Sequence, residues 1–336
     1  MASQQNFNVW YTAKNFPSSV VQRRTDLITF PVDDLAHALF VTGRAPADRA
    51  THGATSFFEW IHRVALAPAY LRMGPGGRLM RSDLARELDR SEKVALSYTL
   101  GQAMTGVFSE RVLSVRFLMH VDRYASRHHL VFSQTTKKRA DMFGQKKDGG
   151  WIVAEAKGRS GVVDWKLEQK MIEQKGTIKS IAGMAPDFTF GCAAHFPKLN
   201  DGSEPLAILA IDPPEFEEEA INLPITQDKF IQTYYEPFLM ALEQGGPREE
   251  NGGFLVADFQ PLQLRIGVLR SVVDRVDRAR NGFLEGLHAD VTTLLSEQVP
   301  EELPPGHFLD GTMIRTNWDT HIYQEDWSEY FIADKF

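Results

Sequence analysis

The feature that most restricts the fold is a change of period in the middle of the chain. Between 94 and 124, apolar residues recur at helical spacing, Val107, Val112, Val115, Leu118 and Met119 among them. The spacing then collapses to short strand-like runs at 129–133 (HLVFS), 139–145 (RADMFGQ) and 151–158 (WIVAEAKG), divided by polar turns. A second helical pattern covers 164–181, and two more strand-like runs follow at 187–196 and 206–212. A helix, three strands, a helix and two strands can bury their apolar faces together as an α/β domain, one sheet flanked by helices. Gly101 and Gly106 fall inside the first helical pattern and predict a break or a close crossing there.

Three regions are expected: a mixed N-terminal region at 1–93, the α/β core at 94–212, and an acidic region at 213–336 suited to contact with a partner or a second copy. Both additions are expected to be mostly helical. Short helices are predicted at 33–40, 56–67 and 83–89, with another beginning at Ser91. Pro213 and Pro214 ahead of the acidic run EFEEEA mark the second boundary. Beyond it, a helix is predicted at 230–243, a strand at 254–259 and helical spacing between 264 and 295. Asp310-Gly311 signals a hairpin.

A net charge of −7 argues against a wholly basic nucleic-acid binder, but the charge is segregated. Residues 111–180 carry 15 Lys and Arg against 7 Asp and Glu, whereas 201–336 carry 9 against 26. A polyanion could therefore approach one face only, and its site belongs in the middle third. The single cysteine, Cys192, cannot form an internal disulfide. No apolar run approaches the ~18 residues of a membrane helix, and the first residues lack a signal-peptide pattern, so a cytoplasmic location is expected.

An acid, any residue, then lysine occurs four times: Glu155/Lys157, Asp164/Lys166, Glu168/Lys170 and Glu173/Lys175. The string alone decides nothing, but local structure does. The last three pairs fall in the predicted helix 164–181, where residues two apart point in different directions. On the predicted strand 151–158, alternation puts Trp151, Val153, Glu155 and Lys157 on one face. If Lys146 to Gly150 form a hairpin loop centred on Asp148, Gln145 faces Trp151, Met142 faces Ala154 and Asp141 faces Glu155. Opposed side chains have Cβ atoms about 5 Å apart, where two like charges repel unless a cation intervenes. A divalent ion between the carboxylates, with Lys157 beside it, would relieve the repulsion, and oxygen ligands suit Mg²⁺ or Mn²⁺ better than zinc.

Asp141, thirteen intervening residues and then Glu155-Ala156-Lys157 on a hairpin resemble the PD-(D/E)xK nuclease superfamily, the restriction-endonuclease-like fold. Ala140 stands where that family often has proline. The resemblance covers roughly 95–212. It implies that Asp141, Glu155 and the carbonyl of Ala156 hold the metal, and that Lys157 orients water or stabilises charge at the phosphate. It further implies a metal-completing acid on the first helix, at Glu110, and a polar residue on the second, at Gln169 or Lys170. Lys137, Lys138, Arg139 and Arg159 would grip backbone phosphates. The implied activity is hydrolysis of phosphodiester bonds, in DNA first, in restriction or anti-phage defence, with a helicase, an ATPase or a second copy as partner.

Two competing readings stand beside this one: a catalytically inactive nucleic-acid-binding or scaffold module on the same fold, and a protein unrelated to nucleic acid whose acid cluster is structural. His128 and His129 are adjacent on an expected strand and so point to opposite faces, unsuited to joint ligation. His195 ends a strand, from which it could approach the site, but a partly buried packing histidine is the more frequent case. The aromatic C-terminus, Trp318 to Phe331, reads as base-stacking or protein-docking, its acidity favouring the latter.

Overall fold

The computed structural model describes residues 6–43, 52–53, 55–128, 140–175, 178–212, 221–245, 249–251 and 253–318. In chain order the first part holds β1 (Asn6–Lys14), β2 (Thr25–Pro31), α1 (Val32–Val41), α2 (Thr55–Tyr70), β3 (Leu71–Gly74), β4 (Arg78–Arg81) and α3 (Asp83–Glu87). The middle holds α4 (Arg90–Leu113), β5 (Val115–His120), α5 (Val121–Arg127), β6 (Met142–Lys146), β7 (Trp151–Gly158), α6 (Trp165–Lys175), β8 (Ile178–Ile181), β9 (Phe188–His195) and β10 (Ala207–Ile211). There follow β11 (Ile221–Leu223), α7 (Gln227–Gln244), β12 (Glu249–Asn251), β13 (Phe254–Phe259), β14 (Leu264–Leu269), α8 (Arg270–Arg280), α9 (Leu287–Gln298) and β15 (Thr312–Thr316).

The chain is an α/β protein built on one large mixed sheet, ordered β3–β4–β1–β10–β9–β7–β6–β5, with β2 antiparallel to β1. β5, β6 and β7 form an antiparallel meander, and β9 then adds parallel to β7 after α6. The helix, three strands, helix, strand order read from the sequence is present, but its first strand is 115–120. The predicted strand at 129–133 lies outside the described residues. Ser114, at φ 55°, takes the left-handed conformation that ends α4, and VRFLMH continues as a strand buried on both faces. A strand covered on both sides shows no two-residue alternation, so its run blends with the helical spacing before it. The predicted helix 164–181 likewise stops at Lys175, and its last residues form β8, which pairs with β11 in a separate small sheet.

The flanking regions are not mostly helical additions. β1 to β4 extend the main sheet, and β1 lies parallel to β10, with Trp10 to Lys14 in register with Ala207 to Ile211 of the last core strand. The C-terminal region carries its own antiparallel sheet, β12–β13–β14–β15. Residues 264–269 are a strand where helical spacing was read, and the turn at Asp310-Gly311 precedes β15, which pairs with β14. One hydrophobic core runs from Phe7 to Trp318 across all three regions. Trp318 is buried in it and donates from Nε1 to the Leu262 carbonyl at 2.7 Å, so it is unavailable for stacking on bases; the later aromatics lie outside the described residues.

Two helices position the strand that bears the acids. α4 lies on the face of Phe190 and Cys192, its Phe108 ring packing 5.9 Å from Phe190. Its fit to β7 is backbone to backbone: a Cβ at Gly101 would come 2.5 Å from the Lys157 carbonyl, and one at Gly158 would collide with the Ser97 carbonyl oxygen. Gly106 meets α1 less tightly, at the Thr42 methyl and the Ala38 Cβ, so both glycines are close crossings and the helix runs unbroken through them. α6 covers the opposite face, where Leu167 and Met171 pack with Ala193, Leu209 and Ile211.

Candidate functional site

The β6–β7 hairpin closes as its turn chemistry requires. Gly149 sits at φ 91°, Lys146 N donates to the Gly150 carbonyl at 2.8 Å, and the Asp148 carboxylate accepts from Gly150 N at 3.1 Å. Gln145 pairs with Trp151 and Met142 with Ala154, which brings Asp141 opposite Glu155. The Asp141 carbonyl accepts from Val121 N at 2.8 Å, and its carboxylate Oδ2 accepts from Ala156 N at 3.0 Å. The acid is thus fixed at both its main chain and its side chain. N–H and C=O of one strand residue point to the same side, so the Ala156 carbonyl also faces the Asp141 edge of β7.

Glu155 and Lys157 share a face, as alternation requires, and Lys157 Nζ donates to Glu155 Oε1. Glu155 is 1% exposed, whereas the Lys157 side chain is 26% exposed, so the amine is the group that reaches toward solvent. Glu155 Oε2 is buried with no hydrogen-bond partner. Burial, and then the charge of Asp141, push the Glu155 carboxyl up to about 7, against the pull of Lys157. Burial also raises Asp141, with Asp122 adding to it, while Lys157 and the Ala156 N–H oppose the shift. Two carboxylates thus share one ammonium, and removing them from water carries a large cost.

A divalent cation fits this donor set. Among the described residues no three His, Cys, Asp or Glu side chains gather into a metal cage. Mg²⁺, however, is ordinarily bound through one or two carboxylates, with waters and substrate phosphates as the other ligands. Burial is the first cause of both raised carboxyls, and the Asp141 charge adds to it at Glu155, so a cation beside the buried, unpartnered Glu155 oxygen would favour the ionised acids.

The other residues singled out from the sequence do not gather here. Gly101 packs on Lys157, and Glu110 lies nine residues along α4, roughly 13 Å of helix rise away. There its carboxylate faces His37 Nδ1 at 3.4 Å instead of completing the acid pair. Gln169 stands two residues from both Leu167 and Met171, which places it opposite the side of α6 that meets the sheet, and it is exposed. Lys170 is exposed too, and Glu168, the inward-leaning neighbour, pairs with Lys14 at 2.8 Å. Arg159 is exposed just past the end of β7, its N–H held by the Ala194 carbonyl at 2.9 Å. Lys137, Lys138 and Arg139 lie outside the described residues.

Near the site, Asp122 has no counterpart in the sequence reading, and His195 is the histidine that reading weighs between packing and the site. Asp122, in the first turn of α5, adds charge beside Asp141, but a segment read as one long helix gave no hint of it. His195 lies on the Glu155 face of the sheet, one alternation beyond Ala193, the partner of Lys157. Burial lowers its pKa, and its Nδ1 has no hydrogen-bond partner. Its position at a strand end was the available signal. Comparison with protein-family models, with curated proteins and with solved structures gives no match to this chain, so the reading of its chemistry rests on the hairpin itself.

Proposed function

We propose that this chain is a divalent-metal-dependent phosphodiesterase that hydrolyses nucleic acid, DNA first, on a restriction-endonuclease-like core. The observation that carries the reading is the meeting of Asp141 and Glu155 across a hairpin beside Lys157, with one buried carboxylate oxygen unpartnered. Asp141, Glu155 and the Ala156 carbonyl would hold Mg²⁺ or Mn²⁺. The ion, when bound, polarises the phosphate and eases ionisation of an attacking water. Lys157 keeps N–H donors beyond the one given to Glu155 and, being partly exposed, can donate to a phosphate oxygen or orient the water. The Ala156 N–H holds Asp141 in a fixed rotamer, so the acid is set before substrate arrives. A role in restriction or anti-phage defence, with a helicase, an ATPase or a second copy meeting the acidic C-terminal region, is what the family resemblance adds.

Plasmid DNA incubated with the full chain and Mg²⁺ tests the reading. Cleavage is expected from the wild type, is abolished by EDTA, and falls at least about a hundredfold in Glu155→Gln and in Lys157→Ala. Undiminished cleavage by either variant refutes the assignment. DNA binding without cleavage under Mg²⁺ or Mn²⁺ indicates an inactive binding module, a reading favoured because no three His, Cys, Asp or Glu side chains among the described residues are placed to hold a metal ion together.

A further inference from the structure

A cavity of about 510 Å³ is lined by Arg81, Arg86, Lys93, Ser160, Lys198 and Glu204, together with Gly202. Its single acid is already engaged, Glu204 accepting from Arg81 at 2.5 Å. Arg86 has only Asp83, at 3.9 Å, and Lys93 and Lys198 have no ion-pair partner among the described residues. Arg81 is not a loose surface cation. It is 8% exposed, its guanidinium lies 4.6 Å over the Phe196 ring, and its buried Nε has no hydrogen-bond partner. A fixed, partly desolvated cation among unneutralised ones is a concavity that favours an anion.

Its position says which anion. Ser160 is three residues beyond Lys157, at most about 11 Å of extended chain. Lys93 stands in the first turn of α4, the helix whose Ser97 packs on Gly158. The cavity lies on the α4 side of the sheet and the acids on the α6 side, so a chain crossing the carboxyl ends of β7 and β9 meets both. Carboxyl ends of strands are where open α/β sheets bind ligands.

We propose that this cavity is a phosphate subsite for the nucleic-acid strand flanking the bond cut at Glu155 and Lys157. The assignment rests on the phosphodiesterase reading and gives its substrate a second point of attachment. Lys93→Glu/Lys198→Glu, measured on the full chain with labelled single-stranded and duplex DNA in EDTA, tests it. Over about 50 to 200 mM salt the double variant should lose roughly one to two from the slope of log K against log salt, and about tenfold in affinity at the low end. Binding is read in EDTA and cleavage in a separate assay with Mg²⁺, so loss of cleavage and loss of this contact are separated. Lys93→Ala/Lys198→Ala should reduce the slope similarly, which guards against misfolding of the reversed pair. Unchanged slope and affinity in both double variants, with cleavage intact, overturns the subsite and leaves the phosphodiesterase reading standing. No DNA binding by the wild type overturns it as well. Loss of binding to polyglutamate with DNA binding unaltered overturns it in favour of an acidic protein segment. Displacement of bound DNA by 1 mM ATP in the wild type but not in the double variants would assign the cavity to free nucleotides and likewise overturn it.

Discussion

Glu155 is a residue whose charge the fold tolerates poorly. With its carboxyl pushed up to about 7 from an ordinary 4.5, the native state holds a proton that the unfolded chain releases. Stability therefore falls as pH rises from about 4.5 through 7 and is level above that. In EDTA, Glu155→Gln should remove this component, leaving the variant more stable than the wild type at pH 8 by an amount of the order of 3 kcal/mol and indistinguishable at pH 4. Thermal melts across pH read it directly, and equal pH profiles for the two proteins would contradict it. Mg²⁺ should raise the melting temperature of the wild type at pH 8 and leave Glu155→Gln nearly unmoved. This much was legible in the sequence, because a two-residue alternation and a centred loop are local and fix which side chains oppose. The roles of Glu110 and Gln169 were not. Helix membership gives a residue's phase but not which strand it meets, and Glu110 meets His37 on a segment 73 positions earlier.

Among the elements, α4 shows how contact at backbone distance governs placement. Gly101→Ala gains up to about 1 kcal/mol of helix propensity, yet its methyl must displace the Lys157 backbone. The net effect should be a loss of about 1–3 kcal/mol together with reduced cleavage, since the strand that moves carries Glu155. Gly106→Ala meets a Thr42 methyl at 3.0 Å and the Ala38 Cβ at 3.2 Å, so it should cost less and leave the hairpin alone. Urea denaturation ranks the two; if Gly106→Ala proved the more damaging, the account of α4 would be wrong. Patterning located most helices within a few residues but could not divide α4 from β5, because the boundary is one left-handed serine with no glycine to announce it.

Across the whole molecule, the distant parts are tied by a buried ion cluster. His37 of α1 contacts Asp310 at 3.1 Å and Glu110 of α4 at 3.4 Å, and its ring stacks 3.8 Å from Phe308. Asp310 also accepts from Tyr234 of α7 at 2.5 Å and from the Thr312 hydroxyl at 2.6 Å. Burial alone would lower the His37 pKa, but Asp310 and then Glu110 outweigh it and hold the ring to about 10. Its stabilising charge is fully present below pH 6.5 and is lost as pH rises toward 10. His37→Phe keeps the stacking but strands the Asp310 charge, and should cost about 3–5 kcal/mol at pH 6. Adding Asp310→Asn should restore part of that loss; strict additivity in denaturation would show that the two groups are not coupled. No sequence pattern links positions 37, 110, 234 and 310, since their union depends on tertiary packing alone.

The parallel seating of β1 against β10 has a consequence for biogenesis. The ribosome releases the first strand some two hundred residues before β10 exists, so the β10 edge of that strand must wait unpaired, while β2 and then β4 hold its other pairings. Closing so long a loop is slow, and until then the β10 side of the nascent sheet is an open template for other chains. Synthesis in a chaperone-depleted lysate should therefore yield aggregates in which this border, rather than the acid hairpin, is the adhesive part.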